Sequence, residues 1–404
     1  MRPFITLGRL VRDAWLILGL AILLFGMLEA GARLVLLGVR WVEESSEPPG
    51  DWRARADTYT DPSWVEAYYN EFRRSDALRW RPYVYWRKKP YRGQYINVDS
   101  SGLRITPGPA SPDQGAGRAL KIFMFGGSTL WGTGARDAFT IPAMVASDLR
   151  RSGLSVEVSN FGHSGYVSTQ SLVALLLELR AGRRPDVVVF YDGINDTFSA
   201  FAQQRPGLPQ NEKNRTADFN LSQASVARLG RLVLRDVADR SATVQLAKRV
   251  LRRSAGGASL WRPSNPDSLA TLVVTTYLSN LEVLRALSEH YHFTPLAYWQ
   301  PTIFQKPMLT KYEQVERAKV PELARFFEQT HASLASRAHG GAVHDLSRVF
   351  STWRDPVYVD WMHLGEAGNA LIAQRIAGDV LTTTANLAGT GTAAPVPGAG
   401  GTRP

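Results

Sequence analysis

Four short stretches of the 404-residue chain combine residue types that could do chemistry. They are Gly126-Gly127-Ser128-Thr129, Asn160-Phe161-Gly162-His163-Ser164-Gly165-Tyr166, Asp192-Gly193-Ile194-Asn195-Asp196 and Asp360-Trp361-Met362-His363-Leu364. A serine hydroxyl is a poor nucleophile until a base takes its proton. His363 is such a base, because an unperturbed imidazole titrates near neutrality. Asp360, three residues earlier, can orient the ring and stabilise its charged form. Acyl transfer also builds an oxyanion, which needs donors aimed at it. The backbone N–H of Ser128, the N–H of Gly165 and the side-chain amide of Asn195 are available for that. A glycine at 165 lets the backbone approach a substrate closely. Taken singly, each stretch also reads as an ordinary turn, and Asn-Asp beside a glycine often is only that. Their order along the chain is what sets them apart.

The elements that must position these residues follow a strand–helix rhythm from residue 120 onward. Apolar runs at 121–125, 155–160, 186–191, 293–299 and 342–346 read as strands, and 139–152, 168–182, 268–290, 312–337 and 365–382 read as helices. Near-continuous apolar strands alternating with helices predict a parallel sheet covered on both faces. In such sheets ligands bind at the carboxyl ends of the strands, where the four stretches fall.

In these residues the chain resembles the SGNH or Gly-Asp-Ser-Leu hydrolase family, named for its Ser, Gly, Asn and His. The likeness covers roughly residues 120–382. It implies a flavodoxin-like three-layer α/β/α sandwich with a parallel sheet of about five strands. It implies that Ser128 is the nucleophile and first oxyanion donor, that Gly165 and Asn195 are the other donors, and that Asp360 and His363 complete the triad. The family's Asp before the nucleophile is Gly127 here, so any support it gives is absent. The activity implied is that of a serine esterase or lipase-like acyl hydrolase with no metal and no organic cofactor. Two alternatives stay open: an O-acyltransferase of a cell-surface polysaccharide using the same acyl-serine, and a non-catalytic carbohydrate- or lipid-binding protein of the same fold.

The remainder of the chain lies outside this resemblance. Residues 14–28 are fifteen uncharged, mostly apolar residues; Glu29 and Arg33 interrupt, and 34–39 continue apolar. As one helix, 14–39 would be about 39 Å long, enough to cross a bilayer with tilt. Glu29 and Arg33, four apart, share a face and can pair. Arg2, Arg9 and Arg12 precede the run and place residues 1–13 in the cytoplasm, with everything after residue 40 outside. A cleaved signal peptide ending at Ala30-Gly31-Ala32 is the rival reading. Residues 40–118 read as a linker and an aromatic arm: twelve aromatics lie between Trp52 and Tyr95, with Arg and Lys interleaved. They could stack on a ligand or pack onto the core.

The hydrolase region is expected over 119–385, with an insertion at 197–267 that reads as a lid or substrate-binding cap. Net charge is +11, and the stretch from Arg205 to Arg262 holds twelve Lys/Arg against four Asp/Glu. The basic excess is therefore concentrated there, suited to an acidic polymer, lipid headgroups or solvent. Export and this localisation argue against nucleic acid. The absence of cysteine excludes disulfides, thiolate metal sites and a Cys nucleophile. Residues 386–404 have the Ala/Gly/Thr/Pro composition of a disordered tail. Neither the acyl ester substrate nor the oligomeric state is legible.

Overall fold

The apolar run Leu120–Gly126 forms a strand with Ile122, Met124 and Phe125 fully buried. The structure is a computed structural model that describes residues 2–46, 50–108, 118–222, 230, 236, 238–254, 263–338, 341 and 343–390. It contains two compact units, Met1–Pro49 with Lys213–Leu260 and Gly50–Glu212 with Trp261–Pro404.

The described strands of the second unit are β1 (Leu78–Arg81), β2 (Tyr85–Lys88), β3 (Tyr91–Arg92), β4 (Asn97–Val98), β5 (Leu120–Gly126), β6 (Val156–Gly162), β7 (Val187–Asp192), β8 (Thr294–Trp299) and β9 (His344–Asp345). The last five form one sheet in the spatial order β6-β5-β7-β8-β9, every pair parallel. Counted along the chain this is 2-1-3-4-5, the flavodoxin-like order, whose direction reverses between β5 and β7. The chain leaves β5 for one side and β6 for the other, so right-handed crossovers place Ile141–Arg151 and Ser168–Arg180 on opposite faces. Glu366–Thr390 joins the first of these, and Pro266–Tyr291 with Pro321–Arg337 completes the other layer. The buried stripe Ile372, Ala373, Ile376, Ala377 and Val380 has the spacing of a helix lying on a sheet.

Several expected boundaries differ. The final strand is only two residues, because the chain turns away at Leu346. The expected helix 312–337 is two helices, Lys311–Ala318 and Pro321–Arg337, since Pro321 has no N–H with which to continue the first. The last helix continues to Thr390, and residues 391–404 lie outside those described. The insertion does not begin at 197: Ile194–Gln203 is a helix whose Thr197, Ser199 and Ala200 are buried in the unit that holds the five-stranded sheet.

Part of the aromatic arm is a folded layer, while Trp52, Trp80 and Tyr83 remain exposed. Trp64, Tyr68 and Tyr69 are buried with Ile96, Val98 and Trp131. Their rings meet edge to face, as between Trp64 and Tyr68 at 5.7 Å and Phe72 and Trp131 at 5.9 Å.

In the other unit, Arg2–Ser46 is one continuous helix. Its segment Gly8–Val39, with mean hydropathy 2.0, is long and apolar enough to cross a membrane. The helix Ala242–Ser254 packs against it.

Candidate active site

Ser128 is the first residue of a single helical turn, Ser128–Trp131, that begins as soon as β5 ends. First-turn N–H groups have no intrahelical partner and point past the N-terminus. The residue before it is a glycine at a close approach: a Cβ on Gly127 would lie 2.2 Å from Nδ2 of Asn195, so a side chain here would push that amide aside. The Tyr166 carbonyl lies 3.7 Å from the same point, so the second and third stretches both reach the nucleophile turn.

Asp360 and His363 occupy a tight turn closed by the bridge between Tyr358 and Leu364. Oδ1 of Asp360 accepts from the N–H groups of Met362 (2.9 Å) and His363 (2.7 Å). Its other oxygen, Oδ2, lies 2.6 Å from Nδ1 of His363. Nε2 of His363 lies 2.8 Å from Oγ of Ser128. The spacing of three thus serves twice: the same carboxylate shapes the turn and holds the ring. Burial alone would raise the Asp360 pKa; the His363 charge and the bonds from its ring, its N–H and that of Met362 outweigh burial and hold it below the usual carboxylate range.

Asn195 sits one residue into the helix Ile194–Gln203, after Gly193 at φ +113°. A side chain on Gly193 would strike the Trp299 ring 2.7 Å away. Gly165 has φ +76°, and the Gln210 carboxamide lies within 3.0 Å of where its Cβ would be. Gln210 Nε2 is also 3.5 Å from Asn195 Oδ1, at the limit of a hydrogen bond, so this carboxamide stands between two of the expected donors. Partly exposed Phe198, one turn past Asn195, meets Trp361 at 5.9 Å, giving the site an apolar wall.

Sequence reasoning missed the residues that hold the nucleophile turn. Arg104 is wholly buried and its guanidinium donates to the carbonyls of Gly132 (2.6 Å) and Ala135 (2.7 Å) while pairing with Asp137 (2.8 Å). It also lies 4.4 Å from the Trp131 ring centroid. Asn160 Nδ2 donates to the carbonyls of Leu130 and Trp131 at 3.3 and 3.4 Å. Gln300, just past β8, donates from Nε2 to Thr129 Oγ1 at 2.5 Å and accepts from the Ile194 N–H at 3.1 Å, joining the first stretch to the third. An Arg in a turn and a Gln after a strand carry no local signal of such work.

The acids near Asn195 are buried. Asp196 accepts from Ser168 Oγ at 2.5 Å and from the Ser168 and Gly193 N–H groups at 3.1 and 3.2 Å. Burial raises its pKa, and burial together with the charge of Asp196 raises that of Asp192 well above the ordinary value. His163 is driven far down by burial and by Arg87 and Lys88, and packs on Tyr166 as a neutral ring. Among the described residues no cluster of three or more His, Asp or Glu is arranged to hold a metal.

No protein-family model and no curated protein matches the sequence. Among solved structures, an acetyl xylan esterase is 13% identical, with a TM-score of 0.33, over 65% of this chain and 100% of its own. A member of the lipolytic G-D-S-L family from Veillonella parvula is 13% identical, with a TM-score of 0.34, over 65% and 99%. An acetylxylan esterase from Geobacillus stearothermophilus is 14% identical, with a TM-score of 0.32, over 64% and 92%. No activity of this chain follows from likenesses this weak.

Proposed function

We propose that the chain is a membrane-anchored serine esterase of the SGNH type, working outside the cytoplasmic membrane through an acyl-serine intermediate. The observation that carries this reading is the unbroken line Ser128 Oγ–His363 Nε2–His363 Nδ1–Asp360 Oδ2, with contacts of 2.8 and 2.6 Å. The apolar run 14–39, with Arg2, Arg9 and Arg12 ahead of it in the same helix, supports the anchor and its orientation.

In the proposed reaction, His363 Nε2 takes the Ser128 proton as Oγ bonds to the ester carbonyl carbon. The carbonyl oxygen gains the charge and accepts from the Ser128 and Gly165 N–H groups and the Asn195 amide. His363 then returns its proton to the leaving alcohol, and the ester is exchanged for acyl-serine. Water, deprotonated by the same nitrogen, attacks the acyl-serine and frees the acid. Asp360 keeps the proton on Nδ1 throughout, which leaves Nε2 free to act. A sugar hydroxyl in place of that water would make the same chemistry an acyl transfer.

The test is the full-length protein in detergent, treated with a fluorophosphonate probe and with a panel of acyl esters plus sugar acceptors, products read by mass spectrometry. Labelling at Ser128, lost in His363→Ala, and release of free acid are expected. Acylated sugar in excess of free acid would make the protein an acyltransferase. Labelling at another serine, or none, with no turnover, would leave a binding protein.

A further inference from the structure

Glu29 interrupts the most apolar segment of the chain, yet its side chain is only 16% exposed. Its carboxylate accepts from Ser241 Oγ at 2.7 Å, the Ala242 N–H at 2.8 Å, and the Thr243 N–H and Oγ1 at 3.2 and 3.1 Å. Arg33 Nε adds a bond at 3.2 Å. Ala242 opens the helix Ala242–Ser254, and the first N–H groups of a helix lack intrahelical acceptors and carry partial positive charge. Glu29 therefore caps that helix from more than two hundred residues away in sequence.

The contact continues beyond the cap. On the anchor, Ala32 is 5% exposed, and Leu36 and Val39 are also partly covered, a stripe spaced four and three residues apart. On the partner helix Ala242, at 4%, Leu246 and Arg249 are covered at spacings of four and three, and Thr243 and Val244 are partly covered in the first turn. Both stripes start at the cap and run toward the C-terminal ends, so the two helices lie side by side in the same direction.

The level of Glu29 is also a level of charge. Just ahead of Ser241, Asp236 pairs with Arg240 at 2.9 Å and Asp239 with Lys248 at 2.7 Å, all four side chains at least 45% exposed. Charges are costly in the hydrocarbon of a bilayer and cheap at its edge. This level shortens the crossing from 14–39 to the fifteen residues 14–28, about 22 Å, which local thinning and outward-reaching Arg9 and Arg12 can complete, and leaves the exposed Leu34, Val35 and Leu37 beyond it.

We propose that Glu29 stands at the outer membrane surface and is the docking point that fastens Ala242–Ser254 to the anchor. The N-terminal helix is then a retained part of the fold and not a leader to be removed. Cleavage after Ala32 would cut the covered stripe and carry away the cap. This inference rests on the membrane reading of the N-terminal helix and not on the esterase reading, and its readouts do not use activity.

The full chain, recovered from membranes, is weighed intact and followed by amide hydrogen exchange. A mass that includes the N-terminal helix is expected, as is a rise of about 5–30-fold in exchange at Ala242 and Thr243 in Glu29→Ala. Glu29→Gln, which keeps one acceptor oxygen, should fall between. Should Glu29→Ala fail to fold, Ser241→Ala with Thr243→Val removes the hydroxyl donors and leaves the anchor whole, with a smaller rise at the same amides. A mature N-terminus near Arg33, or exchange at 242–243 unchanged in both sets of variants, overturns the proposal.

Discussion

The two halves of the candidate triad are held in opposite ways. In the base half the triad contact itself is local: within Tyr358–Leu364, Asp360 makes the turn and grips the ring through bonds spanning two or three residues, while Glu313, Tyr312 and Ile303 tie the same loop from a distance. The nucleophile half is assembled from afar. Arg104 comes from the aromatic arm, Asn160 from β6, Gln300 from the end of β8, and the Tyr68 hydroxyl accepts from the Gly134 N–H at 2.8 Å. A local device is written in a short stretch of sequence, whereas an assembled one depends on the whole sheet being right.

The largest effects should come where the halves meet. Ser128→Ala and His363→Ala should each lower kcat by about 10⁶-fold, and the double variant should be no slower, because both act in one proton transfer. Asp360→Ala should cost less, about 10⁴-fold. Steady-state kinetics on an activated ester decides it: single effects that multiply in the double variant would mean that the 2.8 Å contact is not a working unit.

Next comes the support. Arg104→Met removes a buried guanidinium and takes a donor from four carbonyls and Asp137, so a stability loss of about 3–5 kcal/mol is expected in urea titration. A loss under about 1 kcal/mol would remove Arg104 from the structure's main supports. Smaller still is the effect expected of Asn195→Ala, a fall of about 10²–10³-fold in kcat from loss of one oxyanion donor. A change in KM alone would reassign Asn195 to substrate binding.

This asymmetry also explains what the sequence revealed. Ser128 and Asn195 were legible because each sits in a short pattern at a strand end, Asp360 and His363 because they share one short turn, and apolar runs marked β5, β7 and β8 within a residue or two. The split at Val320-Pro321 is written in the proline itself, which cannot continue the first helix. Arg104, Asn160 and Gln300 were not legible in their roles, since each acts on residues at least 27 positions away. Glu29 was read as a partner of Arg33 four residues on; its stronger partners at 241–243 lie in a separate part of the chain.

The smallest effect sets the carboxylate of the base half against one behind the nucleophile half. Asp360 is held below the usual carboxylate range, so the folded protein binds fewer protons there than the unfolded chain. Its contribution to stability is full above the unfolded value near pH 4 and is lost as pH falls toward the folded one. Asp192 is raised, by burial first and the charge of Asp196 second. The folded protein then keeps a proton the unfolded chain has released. Its contribution is full below about pH 4 and is lost as pH rises through the folded value. Asparagine cannot titrate at either position. Asp360→Asn should flatten the acid side of the stability–pH curve and leave its neutral side alone. Asp192→Asn should do the reverse, gaining on the parent as pH rises from 4 to 7. Urea midpoints for the three proteins across pH 3–7 measure both slopes. Were the two variants to track the parent at every pH, neither carboxylate would be perturbed, and the electrostatic contrast between the two halves would be gone.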